Sequence, residues 1–145
     1  MIDYPVIKSF RGEYGWLSNF HPCKIHLLGI EFDCVETAFQ ASKFKEHSII
    51  LDVSRMIPKE AKAFAKKNKG LVRSDWNDVR VKYMRYFLKQ KFNKGTLLHA
   101  WLLNTYNAYL IEGNVWYDNF WGYDIKNGIG KNMLGQLLME IRNDD

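Results

Sequence analysis

The sequence predicts an α+β fold: a mostly helical single domain, residues 1–145, with a small antiparallel sheet. A length of 145 residues is usual for one domain. The composition, 47% hydrophobic and 26% charged, is that of a folded globular chain. Several helical patterns accompany a few short strand patterns without regular strand–helix alternation, which favours α+β over a doubly wound sheet.

Residues 5–34 are predicted to form short strands and turns. VIKSF is one strand candidate. KIHLL and IEF, on either side of Gly29, are predicted to pair as a β-hairpin, although Leu28-Gly29 is a weaker turn sequence than Asn-Gly.

From Val35 onward the hydrophobic period becomes helical. The predicted helices are VETAFQASKFKEH, KEAKAFAKKNK between Pro58 and Gly70, a helix from Trp76 to about Phe92 with Asp75 as its cap, GTLLHAWLLNTY, and the closing MLGQLLMEIR. AYLIE is a short strand candidate, and a Gly- and Asn-rich loop follows it.

The net charge of +5 favours anionic partners such as phosphates or nucleic acid without proving either. Cys23 and Cys34 form no C-x-x-C motif and the four histidines have no metal-ligand spacing, so we expect no metal and no cofactor. The start has no signal-peptide pattern, and no window of about 18 residues is uniformly apolar. We therefore expect a cytoplasmic protein with no membrane partner.

A narrow polar stripe marks the first predicted helix. At about 100° per residue, Glu36, Gln40, Lys43 and His47 lie within roughly 60° of one another, with hydrophobic side chains on both flanks. Surface helices have a broader polar face, so this pattern favours a mostly buried helix that turns a few polar groups into a cavity. The alternative is an ordinary amphipathic helix whose charged groups are solvated.

Burial would change the chemistry of this stripe. It would lower the pKa of Lys43, which makes the free amine a better nucleophile or Schiff-base former. A buried carboxylic acid at Glu36 can protonate a leaving group. Seven residues separate the two, a helical rise of about 10 Å, so they would bracket a ligand.

Residues 112–135 form a loop rich in aromatic residues, glycine and asparagine. Such loops often bind ligands, and aromatic faces stack on planar heterocycles. Gly128 and Gly130, just before the last helix, would free amides for a phosphate, although helix capping explains them equally well. Glu112 and Asp118 add two carboxylates at the edge of the loop.

Two further features have a structural and a functional interpretation. Trp76 and Arg80 lie one helical turn apart and would either pack in the core or face a ligand. The second predicted helix is rich in lysine, which indicates either a solvated face or a strip that steers phosphates. These basic residues are Lys59, Lys62, Lys66, Lys67, Lys69 and Arg73.

The order of several motifs resembles the NADAR family, which includes the YbiA-like N-glycosidases. The resemblance begins at Phe10 and GEYGWLSNF, continues through VETAFQASKF, WNDVR, LLNT and LIE, and ends with DNFWG and GKNMLGQLLMEIR. It covers nearly the whole chain. It implies cleavage of an N-glycosidic bond between a ribose phosphate and a base-like amine.

The resemblance implies riboflavin-pathway ribosylaminopyrimidine phosphates, or ADP-ribose attached to guanine in nucleic acid, as substrates. A Schiff base with the opened sugar would fall on Lys43, and proton transfer on Glu36. The predicted catalytic residues are Glu36, Lys43 and Asp118, and the predicted substrate-binding residues are Asn19, Phe20, Gln40, Trp76, Arg80, Glu112, Trp121, Gly122, Gly130 and Asn132.

Two departures from the family pattern put the substrate in question. Many relatives have Ser before the helix glutamate and His after it, where this chain has Val35 and Thr37. The alternative function is therefore a non-catalytic ADP-ribose- or nucleotide-binding module. A basic nucleic-acid-binding domain ranks third, because acidic residues are interspersed among the aromatic ones.

Overall fold

The computed structural model describes residues 5–144 and divides the chain into two compact units. One unit is Asn19–Lys91, and the other combines the residues before it with those from Phe92 onward. The α+β class is confirmed, with six α-helices, two 3₁₀ helices and six short strands in the described part. The single domain over residues 1–145 stays a prediction, and residues 1–4 and 145 lie outside the described ones.

Helices dominate the chain, and its strands are two or three residues long. Numbered along the chain, the elements are β1 (Val6–Ile7), β2 (Ile25–Leu27), β3 (Ile30–Phe32), α1 (Val35–Ala41), α2 (His47–Ser54), α3 (Pro58–Lys67), α4 (Trp76–Lys91), α5 (Leu97–Leu103), β4 (Tyr109–Leu110), β5 (Gly113–Asn114), β6 (Tyr123–Asp124) and α6 (Met133–Arg142), with 3₁₀ helices at Gly12–Leu17 and Lys69–Leu71. The predicted antiparallel sheet is the β2–β3 pair, while β1–β4 and β5–β6 are parallel pairs.

The predicted hairpin is confirmed in β2 and β3. Leu28 and Gly29 form its two-residue turn, and both have positive φ, at 52° and 78°. Two positive φ values belong to the turn whose twist matches that of antiparallel strands. Side chains alternate along both strands, so that one face is buried and the other exposed.

The helix predicted over residues 35–47 is shorter, and this prediction was wrong at its end. Ser42 Oγ donates to the carbonyl of Phe39 at 2.6 Å, and the amides of Lys43 and Phe44 make i to i−3 hydrogen bonds. This side-chain bond and the tighter turn end α1 at Ala41. A separate helix, α2, begins at His47, so this exposed residue is not part of the polar stripe.

The burial predicted for the first helix is confirmed. All seven residues of α1 are buried. This helix packs against α2, α3, α4 and both hairpin strands, so it forms the centre of the Asn19–Lys91 unit. A polar group on α1 therefore has little access to water unless a cavity reaches it.

The other unit is built around α6, which was predicted over its full length. Its buried leucines face a core, and the helix packs against β4 and α5. The loop before it contains β5 and β6, which sequence analysis did not predict because two-residue strands carry too little pattern. Gly135 lies where α6 crosses β4. A Cβ there would overlap the carbonyl oxygen of Leu110 and come within 2.5 Å of Asn132 Nδ2.

Gly135→Ala should destabilise the protein by about 2 kcal/mol or more, although alanine is the better helix former, because backbone must move to make room. Gly15→Ala is the matched control, since nothing lies within 4 Å of a Cβ at that position. Urea unfolding followed by circular dichroism measures both. Equal midpoints for the two variants would contradict this account of the helix crossing.

Candidate active site

Glu36 and Gln40 lie on successive turns of α1, where they are 8% and 5% exposed. Gln40 Nε2 donates a 2.9 Å hydrogen bond to Glu36 Oε1 and so fixes the carboxylate. Gln40 Oε1 is buried without a hydrogen-bond partner among residues 5–144. Because a buried acceptor without a partner costs free energy, this oxygen is an acceptor available to a ligand.

Asn19 lies beside the start of α1. Its carbonyl oxygen accepts a hydrogen bond from the amide of Glu36 at 3.0 Å, which satisfies one of the free donors of the helix. Its Nδ2 is 3.7 Å from Met84 Sδ, and within the described part of the chain its buried Oδ1 has no partner. Phe20 is 51% exposed. The structure brings Asn19 to Glu36, and the substrate-binding roles of Asn19 and Phe20 stay predictions.

Lys43 lies two residues after the end of α1 and is half-buried. Its backbone is fixed on both sides, since its amide donates to Gln40 O and its carbonyl accepts from Arg73 N at 2.8 Å. Its Nζ lies 6.0 Å from the ring centroid of Phe39 and 5.9 Å from that of Trp76. Two aromatic rings therefore lie near the amine.

The pKa of Lys43 is lowered from its ordinary value. The main cause is burial, which disfavours the charged form. The negative charge of Glu36 acts in the opposite direction, and the positive charge of Lys62 lowers the pKa further. A larger fraction of this amine is therefore neutral, and able to act as a nucleophile, than of a solvated lysine.

Lys43 and Gln40 open into a cleft of about 420 Å³ within the Asn19–Lys91 unit. This volume falls within the range of small-molecule sites. Four of its eight lining residues are lysines and none is acidic. The lining is Gln40, Lys43, Lys62, Ala65, Lys66, Lys69, Val72 and Trp76. The cleft thus combines an aromatic wall and a neutralisable amine with a cationic side suited to phosphate.

Three of these lysines were absent from the predicted site. In the sequence, Lys62, Lys66 and Lys69 have the i, i+4, i+7 spacing of one helical face. In the structure Lys62 and Lys66 lie on α3, which also carries the buried Ala61 and Ala65, whereas Lys69 begins the 3₁₀ helix that follows. Sequence analysis had assigned the basic run to a solvated face, with phosphate steering as the alternative. The regular spacing beside small buried residues was the available signal.

Trp76 begins α4 and forms part of an aromatic row. Its ring centroid lies 5.0 Å from that of Phe39 and 6.4 Å from that of Tyr83, the latter nearly parallel at 24°. Because Trp76 also lines the cleft, it offers a planar ring to a ligand. Arg80 is half-buried one turn later, and its contact with substrate stays a prediction.

The remaining predicted residues belong to the other unit, where the loop before α6 is tightly hydrogen-bonded. Asp118 Oδ1 accepts from the amides of Phe120 and Trp121 at 3.2 and 3.0 Å. Asn114 Nδ2 donates to the carbonyl of Asp118 at 2.7 Å. These bonds give Asp118 a structural role in shaping the loop, and its catalytic role stays a prediction.

Side-chain hydrogen bonds of Asn132 and close backbone approaches at two glycines account for the conformation of the same loop. Asn132 Oδ1 accepts from the amide of Glu112 at 2.9 Å, and its Nδ2 donates to Leu110 O at 2.8 Å. A Cβ on Gly122 would come within 2.5 Å of Glu112 O, and one on Gly130 within 2.5 Å of Gly122 O. The binding roles predicted for Glu112, Trp121, Gly122, Gly130 and Asn132 remain untested.

A phosphate site at the start of α6 was one of the two interpretations of Gly128 and Gly130, the other being helix capping. The amides of Met133 and Leu134, the first two of the helix, donate to the carbonyls of Phe120 and Trp121, each at 3.0 Å. These amides are therefore already satisfied by the protein and are not free for an anion.

Within residues 5–144 no three His, Cys, Asp or Glu side chains cluster as a metal site would require. Both cysteines are free thiols. No helix in that same range is long and apolar enough to cross a membrane.

The chain as a whole matches a known family. A family model described as NADAR domain matches residues 7–144. The chain belongs to the NADAR domain family. The N-glycosidase YbiA of Shigella boydii is 37% identical to this NADAR chain over 135 residues, which cover 92% of this chain and 83% of YbiA.

Two further relatives support this membership. A riboflavin biosynthesis protein of Vibrio vulnificus is 36% identical over 133 residues, and this NADAR chain spans 35% of that protein's length. The NMR structure of YbiA from Escherichia coli matches with a TM-score of 0.83 at 34% identity, covering 98% of this chain and 85% of that one. The predicted mostly helical α+β fold is thus shared with a solved relative.

Lys62→Met should raise the pKa of Lys43, because it removes a positive charge that disfavours a second one nearby. The pH profile for labelling of Lys43 by an amine-reactive reagent, read by peptide mass spectrometry, should shift to higher pH. Lys67→Met is the control, since Lys67 is exposed on α3 and does not line the cleft. A profile that is unchanged, or lowered, in Lys62→Met would contradict the coupling.

The lowered pKa of Lys43 also determines how the stability of this NADAR protein depends on pH. Because burial lowers the pKa of Lys43, the unfolded chain binds this proton more tightly than the folded one. The contribution of Lys43 to stability therefore rises with pH between the lowered pKa and its ordinary value. Neutralising the amine removes a cost that the folded state bears at lower pH.

Proposed function

We propose that the protein hydrolyses the N-glycosidic bond of a phosphorylated N-riboside, either a riboflavin-pathway ribosylaminopyrimidine phosphate or ADP-ribose linked to guanine. The observation that carries this proposal is the cleft in which the amine of Lys43, with its lowered pKa, faces a row of lysines. Gln40, which lines the same cleft, is hydrogen-bonded to Glu36. Glu36 itself does not line the cleft, and its hydrogen bond with Gln40 connects it to the cleft wall. These positions support a nucleophile, a proton-transfer group and a phosphate-binding side within one unit.

The family supports the reaction class. Relatives about 36% identical, aligned over most of their length, are named N-glycosidases. The protein is accordingly a hydrolase that acts on N-glycosyl bonds. The riboflavin-related names of two other relatives support a pyrimidine riboside as one substrate candidate. The ADP-ribose candidate is supported by the three other lysines of the cleft, Lys62, Lys66 and Lys69, since a diphosphate offers more charge to pair with them.

Two routes break the bond. In the first, the carboxyl of Glu36 assists attack by water on an oxocarbenium-like sugar carbon while the base leaves. In the second, the sugar ring opens and Lys43 Nζ attacks the anomeric carbon. The amine then leaves with a proton, and water hydrolyses the imine to release the sugar. Both consume one water and release the phosphorylated sugar (ribose phosphate or ADP-ribose) and the base or amine. In both, Trp76 stacks on the base and the lysines hold the phosphate.

The alternative, a non-catalytic module that binds ADP-ribose or nucleotides, was motivated by Val35 and Thr37. Val35 is fully buried, and Thr37 Oγ1 lies 3.2 Å from Cys34 Sγ, also buried. Neither residue lines the cleft. The departures from the family pattern thus alter the core of α1 and leave Lys43 and Gln40 in place, which favours the enzyme.

A substrate panel tests the proposal. Wild-type protein is incubated separately with ribosylaminopyrimidine phosphates and with DNA ADP-ribosylated on guanine, and released bases are identified by mass spectrometry. We expect release from one substrate class, with Lys43→Ala as the inactive control. Binding without release would favour the non-catalytic module, and release equal to that of Lys43→Ala would overturn the proposed catalysis.

A further inference from the structure

A second cavity of about 400 Å³ lies between the hairpin turn and α4, within the Asn19–Lys91 unit. Its walls include an apolar residue (Leu28), two tyrosines (Tyr83 and Tyr86) and two basic residues (Arg73 and Lys82). Its size suits a small organic ligand. None of the proposed catalytic groups lines it.

Leu28 is an unusual residue for its position in the turn. Its φ of 52° is in the left-handed region, where a leucine is strained and where hairpins of this type prefer asparagine. Its side chain is nevertheless 68% exposed and forms a wall of the cavity. Neither turn geometry nor core packing explains an exposed leucine at this point. A strained residue beside a cavity motivates a binding role.

The two basic residues differ in what they offer a ligand. Arg73 Nε and Nη2 donate to the carboxylate of Asp75 at 2.6 and 3.1 Å, and its Nη1 donates to the hydroxyl of Tyr83 at 2.9 Å. Its charge is thereby balanced, and it holds Tyr83 in position. Lys82 is exposed and has no ion-pair partner between residues 5 and 144. It therefore presents a positive charge beside exposed aromatic surface.

This cavity adjoins the candidate active site through two contacts. Tyr83 stacks on Trp76, which lines the cleft, with their rings nearly parallel. The amide of Arg73 donates to the carbonyl of Lys43. One stacked ring pair thus separates the two cavities.

We propose that the second cavity binds a nucleotide, with the planar base stacked on Tyr86 beside Leu28 and the phosphate paired with Lys82. Stacking on an aromatic ring accepts any base, and a lysine pairs with phosphate as a point charge. The role of this nucleotide as a neighbour of the riboside that is cleaved rests on the proposed function. The nucleotide is either free or part of a nucleic-acid strand, and the experiment separates these sources.

The test is a binding titration of wild-type protein with a fluorescently labelled, unmodified single-stranded oligonucleotide, and a parallel titration with nucleoside monophosphates. Tyr86→Ala should weaken binding about tenfold. Tyr106→Ala is the matched control, because Tyr106 is 76% exposed and lies outside this unit. Lys82→Gln should reduce the salt dependence of oligonucleotide binding by about 0.7 in slope, whereas Lys89→Gln, an exposed lysine on the same helix, should not.

Leu28→Asn separates binding from folding. Asparagine is favoured in this turn, so the variant should unfold at the same or a higher urea concentration than wild type. It removes an apolar wall, so it should nevertheless bind the nucleotide probes more weakly. If Leu28 had only a structural role, Leu28→Asn would bind the nucleotide probes as tightly as the wild type.

Tighter binding of the oligonucleotide than of monophosphates indicates a strand, and equal binding indicates a free nucleotide. Either supports the cavity if Tyr86→Ala weakens it. Wild-type protein that binds neither probe, or variants at Tyr86 and Leu28 that bind like wild type, would overturn the proposal. The titrations need no turnover, so a failure to bind these probes leaves the proposed N-glycosidase activity untouched. A protein that binds the probes but shows no turnover would contradict only the proposed N-glycosidase activity.

Discussion

Replacing Lys43 with alanine is expected to lower kcat/KM for the N-riboside substrate by about 10³-fold, a loss typical of a positioned proton-transfer or nucleophilic group. The amine lies near the rings of Phe39 and Trp76, and burial lowers its pKa. Alanine removes the proposed nucleophile and leaves the other three lysines of the cleft in place. Steady-state kinetics on the substrate identified by the panel provides the measurement.

Borohydride trapping separates the two routes that involve Lys43. If the sugar forms an imine with Nζ, reduction leaves a stable secondary amine, and peptide mass spectrometry should find the sugar phosphate attached to Lys43. Lys43→Ala should give no adduct. Confirmed turnover without any adduct in the wild-type protein would favour direct attack by water, with Lys43 stabilising the departing state.

The control for this substitution is Lys67→Ala, which removes an exposed lysine from α3 outside the cleft and should leave kcat/KM unchanged within about twofold. Lys43→Ala is expected to fold, because it removes a partly buried charge whose desolvation is a cost. Turnover by Lys43→Ala within a few-fold of wild type, with matching circular dichroism, would end its catalytic assignment.

The long amphipathic elements could be predicted from the sequence because their period is a property of the chain alone. The closing helix α6 agrees with MLGQLLMEIR residue for residue, and α4 ends one residue before the predicted Phe92. The first helix ended early because Ser42 hydrogen-bonds back to Phe39, a local competition that hydrophobic period does not register. Strands β1 and β4 lie within the predicted strands VIKSF and AYLIE, but their parallel pairing depends on a contact between distant parts of the chain and was not predicted. Strands β5 and β6, with two residues each, left no pattern to find.

In the candidate site, too, features of local sequence pattern were predicted and features that depend on packing were not. Glu36 and Gln40 could be found because a polar stripe on an otherwise apolar helix is unusual in any sequence. The lysine run had two interpretations, a solvated face and a strip that steers phosphates, because such a run is usually solvated. The sequence does not show that part of this run lines a cavity beside the buried Ala65. The hairpin cavity at Leu28 was missed because the anomaly there is a backbone angle.

Glu36→Gln should lower kcat/KM by about 10² to 10⁴-fold, since an amide neither donates nor accepts the catalytic proton. The amide oxygen can still accept the hydrogen bond that Gln40 Nε2 donates, so the helix should remain intact. Glu46→Gln is the control, because Glu46 is an exposed acid just before α2. Activity of Glu36→Gln close to that of Glu46→Gln would remove the carboxyl from the reaction.

A second readout distinguishes lost chemistry from lost structure in the same variant. The negative charge of Glu36 raises the pKa of Lys43, so its removal should move the labelling profile of Lys43 to lower pH. Lys62→Met should move that profile in the opposite direction, because it removes a like charge. Disruption of the cleft by either substitution would expose Lys43 to water and raise its pKa in both variants. Opposite shifts therefore require that Glu36, Lys43 and Lys62 act on one another across an intact cleft.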